Sequence, residues 1–422
     1  MVDFVYNDVK IRVVQGFGEV GGNCIVVESR DNRVVFDQGI RFSRFKRFYS
    51  HNVTPKGYSE MRKLKIIPDF EEPLNVYITH FHLDHIGLLH PLPNGSTVYV
   101  PDEKAFERFI EPYRATNNWT TYVSPPIGVD VLDASKNNDN VIPLKVEHSA
   151  FPASAYYYNN GDVRILYTGD LRLSSPLTYL DQELHRKLHE STLLEEYEEK
   201  GLETDVLIIE GTNFSSRSVP ITPAYFVEQL ENLFKTYSGS LMIFSVDPLD
   251  AEAILSILEV SKLNDRIPVL VGRRLTAMTR LWVDRTELKQ QVYQLGTEEL
   301  DFDVLDELEI EQSPSQYVIL TGRGDILDFA RSTNLKGGVV VLLSAEAPGE
   351  SEESESVEDT WLKALGYVTY RLRVSGHYYP FELKAILDVI RPKKVIPVHT
   401  EVPHLVCEQV RALGYDCLSG GG

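Results

Sequence analysis

The chain has 422 residues, of which 43% are hydrophobic and 25% charged, with a formal net charge of −20. That balance excludes an intrinsically disordered chain, and no apolar run reaches the length needed to span a membrane. The length suits two or three domains, and the acid excess means that any face binding nucleic acid must be a local basic one.

The first elements predict a β-meander, with strands over 11–14, 24–28 and 34–37 and turns carrying Gly16, Gly18, Gly21 and Gly22 or Asp31-Asn32. Asp37 closes the third strand, where its carboxylate is suited to accept from a metal-binding imidazole and orient it. Over residues 41–65 the bases Arg41, Arg44, Lys46, Arg47, Lys56, Arg62, Lys63 and Lys65 meet only one acid, Glu60, and Phe42, Phe45, Phe48, Tyr49 and Tyr58 are interleaved with them. Arg44, Lys46 and Arg47 are candidate phosphate contacts beside base-stacking rings. A solvated helix with its Phe residues packed inward is the plain alternative.

The apolar run Val76-Tyr77-Ile78 leads directly into Thr79-His80-Phe81-His82-Leu83-Asp84-His85. At the end of an extended strand His80 and His82 project to one side, because side-chain direction has period two, and Asp84 and His85 follow where the chain turns. Four ligands from one short stretch can serve two adjacent ions. Imidazole nitrogens and a carboxylate suit Zn²⁺, with Mn²⁺ or Fe²⁺ admissible, and a closed cysteine finger is excluded. The cysteines are Cys24, Cys407 and Cys417, which read as reduced thiols. With no basic-then-apolar leader in the first eight residues, the expected location is the cytoplasm.

Further strands are predicted over 98–100, 142–146, 163–167 and 206–209, with helices over 103–111 and 180–200. His148 and Asp170 stand just beyond two of those strands. Either alone would more often be satisfied by backbone groups, but beside the cassette they are the extra ligands a binuclear site needs. From residue 214 helices and strands alternate as in a parallel α/β sheet, up to an acidic run at 350–356 that reads as a solvated loop. A strand at 370–374, a helix at 381–390 and a strand at 394–398 then lead to His399. Metal-type chemistry thus returns after the α/β stretch, which predicts an inserted domain: 1–213, then 214–370 inserted, then 371–422.

This order of residues resembles the metallo-β-lactamase fold hydrolases and, within them, the β-CASP nucleases. The marks are Asp37, the cassette THFHLDH, His148 in EHSAFPAS, Asp170 in YTGDLR, Glu210 in IIEGTNF, His377 in VSGHYYP and His399 in PVHTE. The likeness is strongest to the archaeal and bacterial ribonuclease J branch and covers essentially the whole chain. It implies an α/β fold, an αββα sandwich carrying an inserted α/β β-CASP domain. It also implies that His80, His82 and His148 hold one zinc and Asp84, His85 and His399 the other, with Asp170 bridging. His377 would then be the general acid or transition-state donor, held by Glu210, and a histidine at position 399 goes with RNA-processing members. Tyr378-Tyr379-Pro380 departs from the small residues usual in that branch, and Val246-Asp247-Pro248 stands where Asn and Arg are familiar. Arg323, in Thr321-Gly322-Arg323-Gly324, is a candidate phosphate contact or part of a simple strand-ending turn.

The expectation is a two-zinc ribonuclease, with Mn²⁺ admissible, that cuts single-stranded RNA to 5′-phosphate and 3′-hydroxyl ends, with 5′→3′ exonuclease action as one mode. No membrane partner is expected, and a homo-oligomer is left open. One rival is a small-molecule metallohydrolase such as a lactonase or thioesterase, against which Glu210 and His377 count. Another is a non-catalytic subunit of an RNA-processing complex, against which the full ligand set counts.

Overall fold

The computed structural model describes residues 1–30, 32–50, 52–137, 140–215, 220–288, 290–296, 301–344 and 352–420. They form two compact units, one of Met1–Leu173, Ser191–Ser216 and His377–Gly422, the other of Ser174–Glu190 and Arg217–Gly376.

The first unit is built on two sheets. Its seven-stranded sheet runs in chain order through Val2–Tyr6, Val9–Gln15, Cys24–Glu28, Arg33–Phe36, Asn75–Tyr77, Thr97–Val100 and Asp130–Asp133. The first four strands pair antiparallel, the three of the predicted meander preceded by Val2–Tyr6, which the sequence reading did not include; the remaining pairings are parallel. The five-stranded sheet has the order Lys394–Val398, Val206–Glu210, Arg164–Tyr167, Ser154–Asn159, Val141–Lys145. Period-two alternation divides its residues. Ile165, Tyr167, Val206, Ile208, Ile396 and Val398 join Ile11, Ile25, Val34, Phe36 and Tyr77 in a core between the sheets. Leu166, Leu207, Ile209 and Val395 face the other way and are covered by the helices Leu193–Glu199, Leu383–Ile390 and Pro403–Ala412. Helices outside and two sheets inside give the expected sandwich.

The second unit holds a seven-stranded sheet of order Asp303–Leu305, Tyr293–Leu295, Ile267–Val271, Tyr317–Gly322, Met242–Val246, Gly338–Ser344, Tyr367–Arg373. Every pairing in it is parallel. Its central strands Met242–Val246 and Tyr317–Gly322 are buried along their length, as expected where helices such as Ala251–Leu263 and Arg273–Thr286 alternate with the strands in the chain.

Local differences from the sequence expectation have physical causes. The single helix predicted over 180–200 is three short ones, Pro176–Leu180, Gln182–Leu188 and Leu193–Glu199. Asp181 interrupts it by accepting from the backbone N–H of Glu183 and Leu184, and Thr192 with Glu195 forms a capping box. Residues 174–190, left with the first domain in the sequence reading, group with the second unit. There His189 and the buried Glu252 meet at 2.6 Å. The strand Ser154–Asn159 is absent from the predicted elements because SAYYYN is buried along nearly its whole length and shows no alternation. The acidic run at 350–356 is not simply a loop: residues 350 and 351 lie outside the described residues, and a helix, Glu352–Ala364, starts within it. Cys407 and Cys417, expected as reduced thiols, are joined in a disulfide with Cα atoms 5.3 Å apart. Pairing of Val395 with Cys417 beside the helix Pro403–Ala412 brings them together, and Cys24 is buried and free.

Candidate metal centre

The strand Asn75–Tyr77 ends two residues before Thr79, and the cassette leaves it as a bend followed by the one-turn helix Leu83–Ile86, with His82 as its N-cap residue. The bend is fastened by the strand Ser154–Asn159 of the five-stranded sheet. Tyr156 donates its hydroxyl to Ile78 O at 2.6 Å, and Thr79 O accepts from Ser154 N at 2.8 Å. Glycine is required where the neighbouring loop crosses it: a Cβ on Gly39 would lie 1.7 Å from Asp84 O.

Four strand ends of the two sheets deliver the remaining groups. Asp37 follows Arg33–Phe36 and His399 follows Lys394–Val398, and both hold positive φ, of 56° and 51°. Non-glycine residues hold such a conformation at a cost of about 1–3 kcal/mol each, and such strain concentrates at functional sites. Asp170 lies beyond Arg164–Tyr167, and Glu210 ends Val206–Glu210.

These groups converge. His80, His82 and His148 form one set whose potential ligand atoms lie within 4.8 Å of one another, and Asp84, His85 and His399 form a second. Asp170 belongs to two further sets, with His80 and His85 and with His377 and His399. Three of the imidazoles have one nitrogen tied to the protein. Nδ1 of His85 lies 2.8 Å from Asp37 Oδ2, Nδ1 of His399 lies 2.7 Å from Thr212 Oγ1, and Nδ1 of His80 lies 3.1 Å from Thr79 Oγ1. The other nitrogens face carboxylates of the cluster, as with His85 Nε2 at 3.1 Å from Asp170 Oδ2 and His399 Nε2 at 3.2 Å from Asp84 Oδ2. Asp37 is itself fixed, accepting from Thr79 N at 2.8 Å and from the Tyr167 hydroxyl at 2.7 Å.

The electrostatics are those of a site built around positive charge. Burial pushes the Asp170 carboxyl up, but His399, His85 and His377 outweigh it and hold the group well below the usual range. Asp84 behaves likewise: burial raises it, and His85 and His399 bring it down. Burial, and then the neighbouring His85, His148 and His82, depress His80, which leaves it a neutral imidazole able to donate a lone pair. His85 is pushed down by burial yet raised well above its ordinary value by Asp170, Asp37 and Asp84. A cation seated there would take the place of that proton. Asp170 Oδ1 is buried without a hydrogen-bond partner. This orphaned atom and the nitrogen–oxygen donor set fit divalent metal ions.

His377 adjoins this cluster. Its Nδ1 lies 3.1 Å from Glu210 Oε1 and 3.8 Å from Asp170 Oδ2. The residues after Glu210, which sequence reasoning passes over, do much of the positioning. Thr212 N donates to Glu210 Oε2 at 2.8 Å while its hydroxyl holds His399. Asn213 Nδ2 donates to the carbonyls of His377 and Tyr378 at 3.1 and 2.9 Å. Tyr378 closes the loop by donating its hydroxyl to Glu210 O at 2.8 Å. The only sequence signal was polar residues directly following a buried strand that ends in an acid.

Arg44, Lys46 and Arg47 sit on the helix Phe42–Phe48, in which Phe42 and Phe45 are part-buried and Phe48 is exposed. Arg44 donates through Nε to Leu64 O and lies over the Phe48 ring. Arg323 is an exposed residue of the second unit, in a turn that also carries Asp325.

Residues 17–211 match the model of the metallo-beta-lactamase superfamily. Proteins named Ribonuclease J are similar to it over most of its length. That of Helicobacter pylori is 24% identical across 96% of this chain and 58% of its own, so this chain spans less than two thirds of that relative. Ribonuclease J of Mycolicibacterium smegmatis is 24% identical over 94% of this chain and 69% of its own. Ribonuclease J of Pyrococcus abyssi is 23% identical over 94% and 90%. A crystal structure of a protein of unknown function from Enterococcus faecalis shares the fold, with a TM-score of 0.72 at 19% identity, covering 97% of each chain. Among the described residues no helix is long and apolar enough to cross a membrane.

Proposed function

We propose that the chain is a zinc-dependent ribonuclease that hydrolyses phosphodiester bonds of single-stranded RNA, leaving 5′-phosphate and 3′-hydroxyl ends, in 5′→3′ exonucleolytic fashion. The observation that carries this reading is the grouping of His80, His82 and His148 beside Asp84, His85 and His399, with Asp170 common to both neighbourhoods. In it the first three residues would hold one Zn²⁺ and the second three the other, with Asp170 a ligand available to either; Mn²⁺ would suit the same donors. Two bound cations lower the pKa of a water and neutralise charge developing on phosphoryl oxygens.

The chain's own groups do the rest. Asp37 fixes the ring of His85 and Thr212 that of His399, so that each Nε2 stays turned to the cluster. Glu210 takes the Nδ1 proton of His377 in a hydrogen bond and steadies the imidazolium. Nε2 of His377 then delivers a proton to the leaving oxygen. The names of the relatives and His399 at the last motif support RNA over DNA. The same reading places the enzyme in the cytoplasm with its substrate, although the paired Cys407 and Cys417 remove the argument from reduced thiols.

RNA labelled at either end tests the reaction. The expected result is products with 5′-phosphate ends that disappear on chelation and return with added Zn²⁺ or Mn²⁺. Cleavage indifferent to chelation overturns it.

A further inference from the structure

The basic, aromatic segment at 41–65 begins close to the metal centre. Ile40 N donates to Leu83 O at 2.9 Å, next to Asp84, and a Cβ on Gly21 (φ 76°) would lie 2.6 Å from Asp84 Oδ2. Two residues before Gly21, Glu19 holds the start of the helix Phe42–Phe48 through Arg41 Nε at 2.9 Å and the Ser43 hydroxyl at 3.0 Å. From that anchor a row of rings leads away over the same unit. Phe42 and Phe45 have centroids 6.0 Å apart, Phe45 lies 4.8 Å from Tyr49, and Phe45 lies 5.2 Å from Trp119. Phe42, Phe45 and Trp119 are only part-buried, and Phe48 is 42% exposed.

Beside Trp119 the surface opens into a cavity of about 520 Å³, lined among others by Lys56, Asn117, Trp119 and Tyr122. Its chemistry is mixed. Trp119 and Tyr122 offer ring faces, the Asn117 amide offers a donor and an acceptor, and the Lys56 ammonium offers a positive charge. Glu60, the one acid of the 41–65 segment, accepts from Lys56 N at 3.1 Å. Rings for stacking, one amide and one cation in a solvent-accessible, polar-walled hollow match a nucleotide better than a peptide or lipid.

We propose that the cavity beside Trp119 is a nucleotide subsite distinct from the metal cluster, in which a base of single-stranded RNA stacks on Trp119 while Lys56 meets its phosphate. Phe42 and Phe45 extend the stacking surface towards the cassette, and Lys46 and Arg47 accompany it as phosphate contacts. The assignment rests on the ribonuclease reading and deepens it by giving the strand a path over the first unit.

Binding of phosphorothioate single-stranded RNA, which resists cleavage, to the metal-loaded full chain provides the test, read by tryptophan fluorescence and by direct affinity measurement. Of the other two tryptophans Trp282 is fully buried and Trp361 is 41% exposed, both in the second unit, so the part of the quenching that Trp119→Phe removes while binding persists reports a base against residue 119. Trp119→Ala should weaken binding about 5- to 150-fold, the range of one lost base–aromatic stack. Lys56→Ala should lower the log–log salt slope by about 0.7, the share of one phosphate contact on a single strand. Wild-type affinity and slope in both Ala variants, or quenching undiminished in Trp119→Phe, overturns the subsite. If the wild-type chain cleaves ordinary RNA in the same preparation, that failure belongs to the subsite alone. If it neither binds nor cleaves RNA, the ribonuclease reading falls with it.

Discussion

Asp84→Ala yields a folded chain that has lost RNA hydrolysis and binds less metal, and His82→Ala does the same. The expectation follows from where the two residues sit. The core between the sheets is made of side chains such as Ile25, Phe36, Tyr77 and Ile208, none of which belongs to the cassette. His82 and Asp84 lie on the bend and the one-turn helix beyond the strand end, only part-buried, so shortening them opens little apolar volume. Asp84 is drawn below the ordinary carboxylate range by His85 and His399 after the upward push of burial, so its removal takes from the cluster a negative charge that offsets bound cations. Circular dichroism should report a native fold, metal analysis a loss of bound ion, and labelled RNA no product above background. Variants that lose metal and still cleave RNA at the wild-type rate would show that the proposed pair of cations is not the engine of the reaction.

His377→Ala should keep the metal and slow single-turnover cleavage by about 10²–10⁴-fold, the usual contribution of a positioned general acid. Glu210→Gln should give a smaller loss, because an amide still hydrogen-bonds Nδ1 but no longer balances the charge on the ring. The competing role is plain from the geometry: His377 also falls in a set with Asp170 and His399 that could hold an ion. Metal content separates the two. Slow cleavage with full metal assigns His377 to proton delivery, whereas slow cleavage with an ion lost makes it a ligand. Unchanged single-turnover rates would reduce it to a structural residue.

The meander, the αββα sandwich and the parallel sheet of the second unit were legible because alternation and buried runs are written into sequences such as Cys24–Glu28 and Tyr317–Gly322. The cassette was legible because four donor side chains in six residues have no structural need to be there. Ser154–Asn159 was hidden for the opposite reason: buried on both faces, it carries no period. Thr212 and Asn213 were equally silent, since a threonine and an asparagine after a strand are ordinary loop residues until the fold brings His399 and the His377 backbone against them. The same holds for the disulfide, which depends on Cys417 pairing beside Val395, and for residues 174–190, whose place in the second unit is decided by contacts such as His189 with Glu252. Local pattern reveals which residues can do chemistry. Which neighbours orient them is a property of strands far apart in the chain meeting at one edge of the sandwich.

The central claim is that one pair of cations, held by the two His/Asp sets and Asp170, drives RNA cleavage. Titrating the metal-stripped full chain with Zn²⁺ while following bound ion and single-turnover cleavage of labelled RNA together tests it most directly. The account predicts that two equivalents bind and that the rate climbs to its plateau as the second site fills. Full cleavage by the stripped chain, or a plateau reached with one ion bound and unchanged by a second, would contradict it.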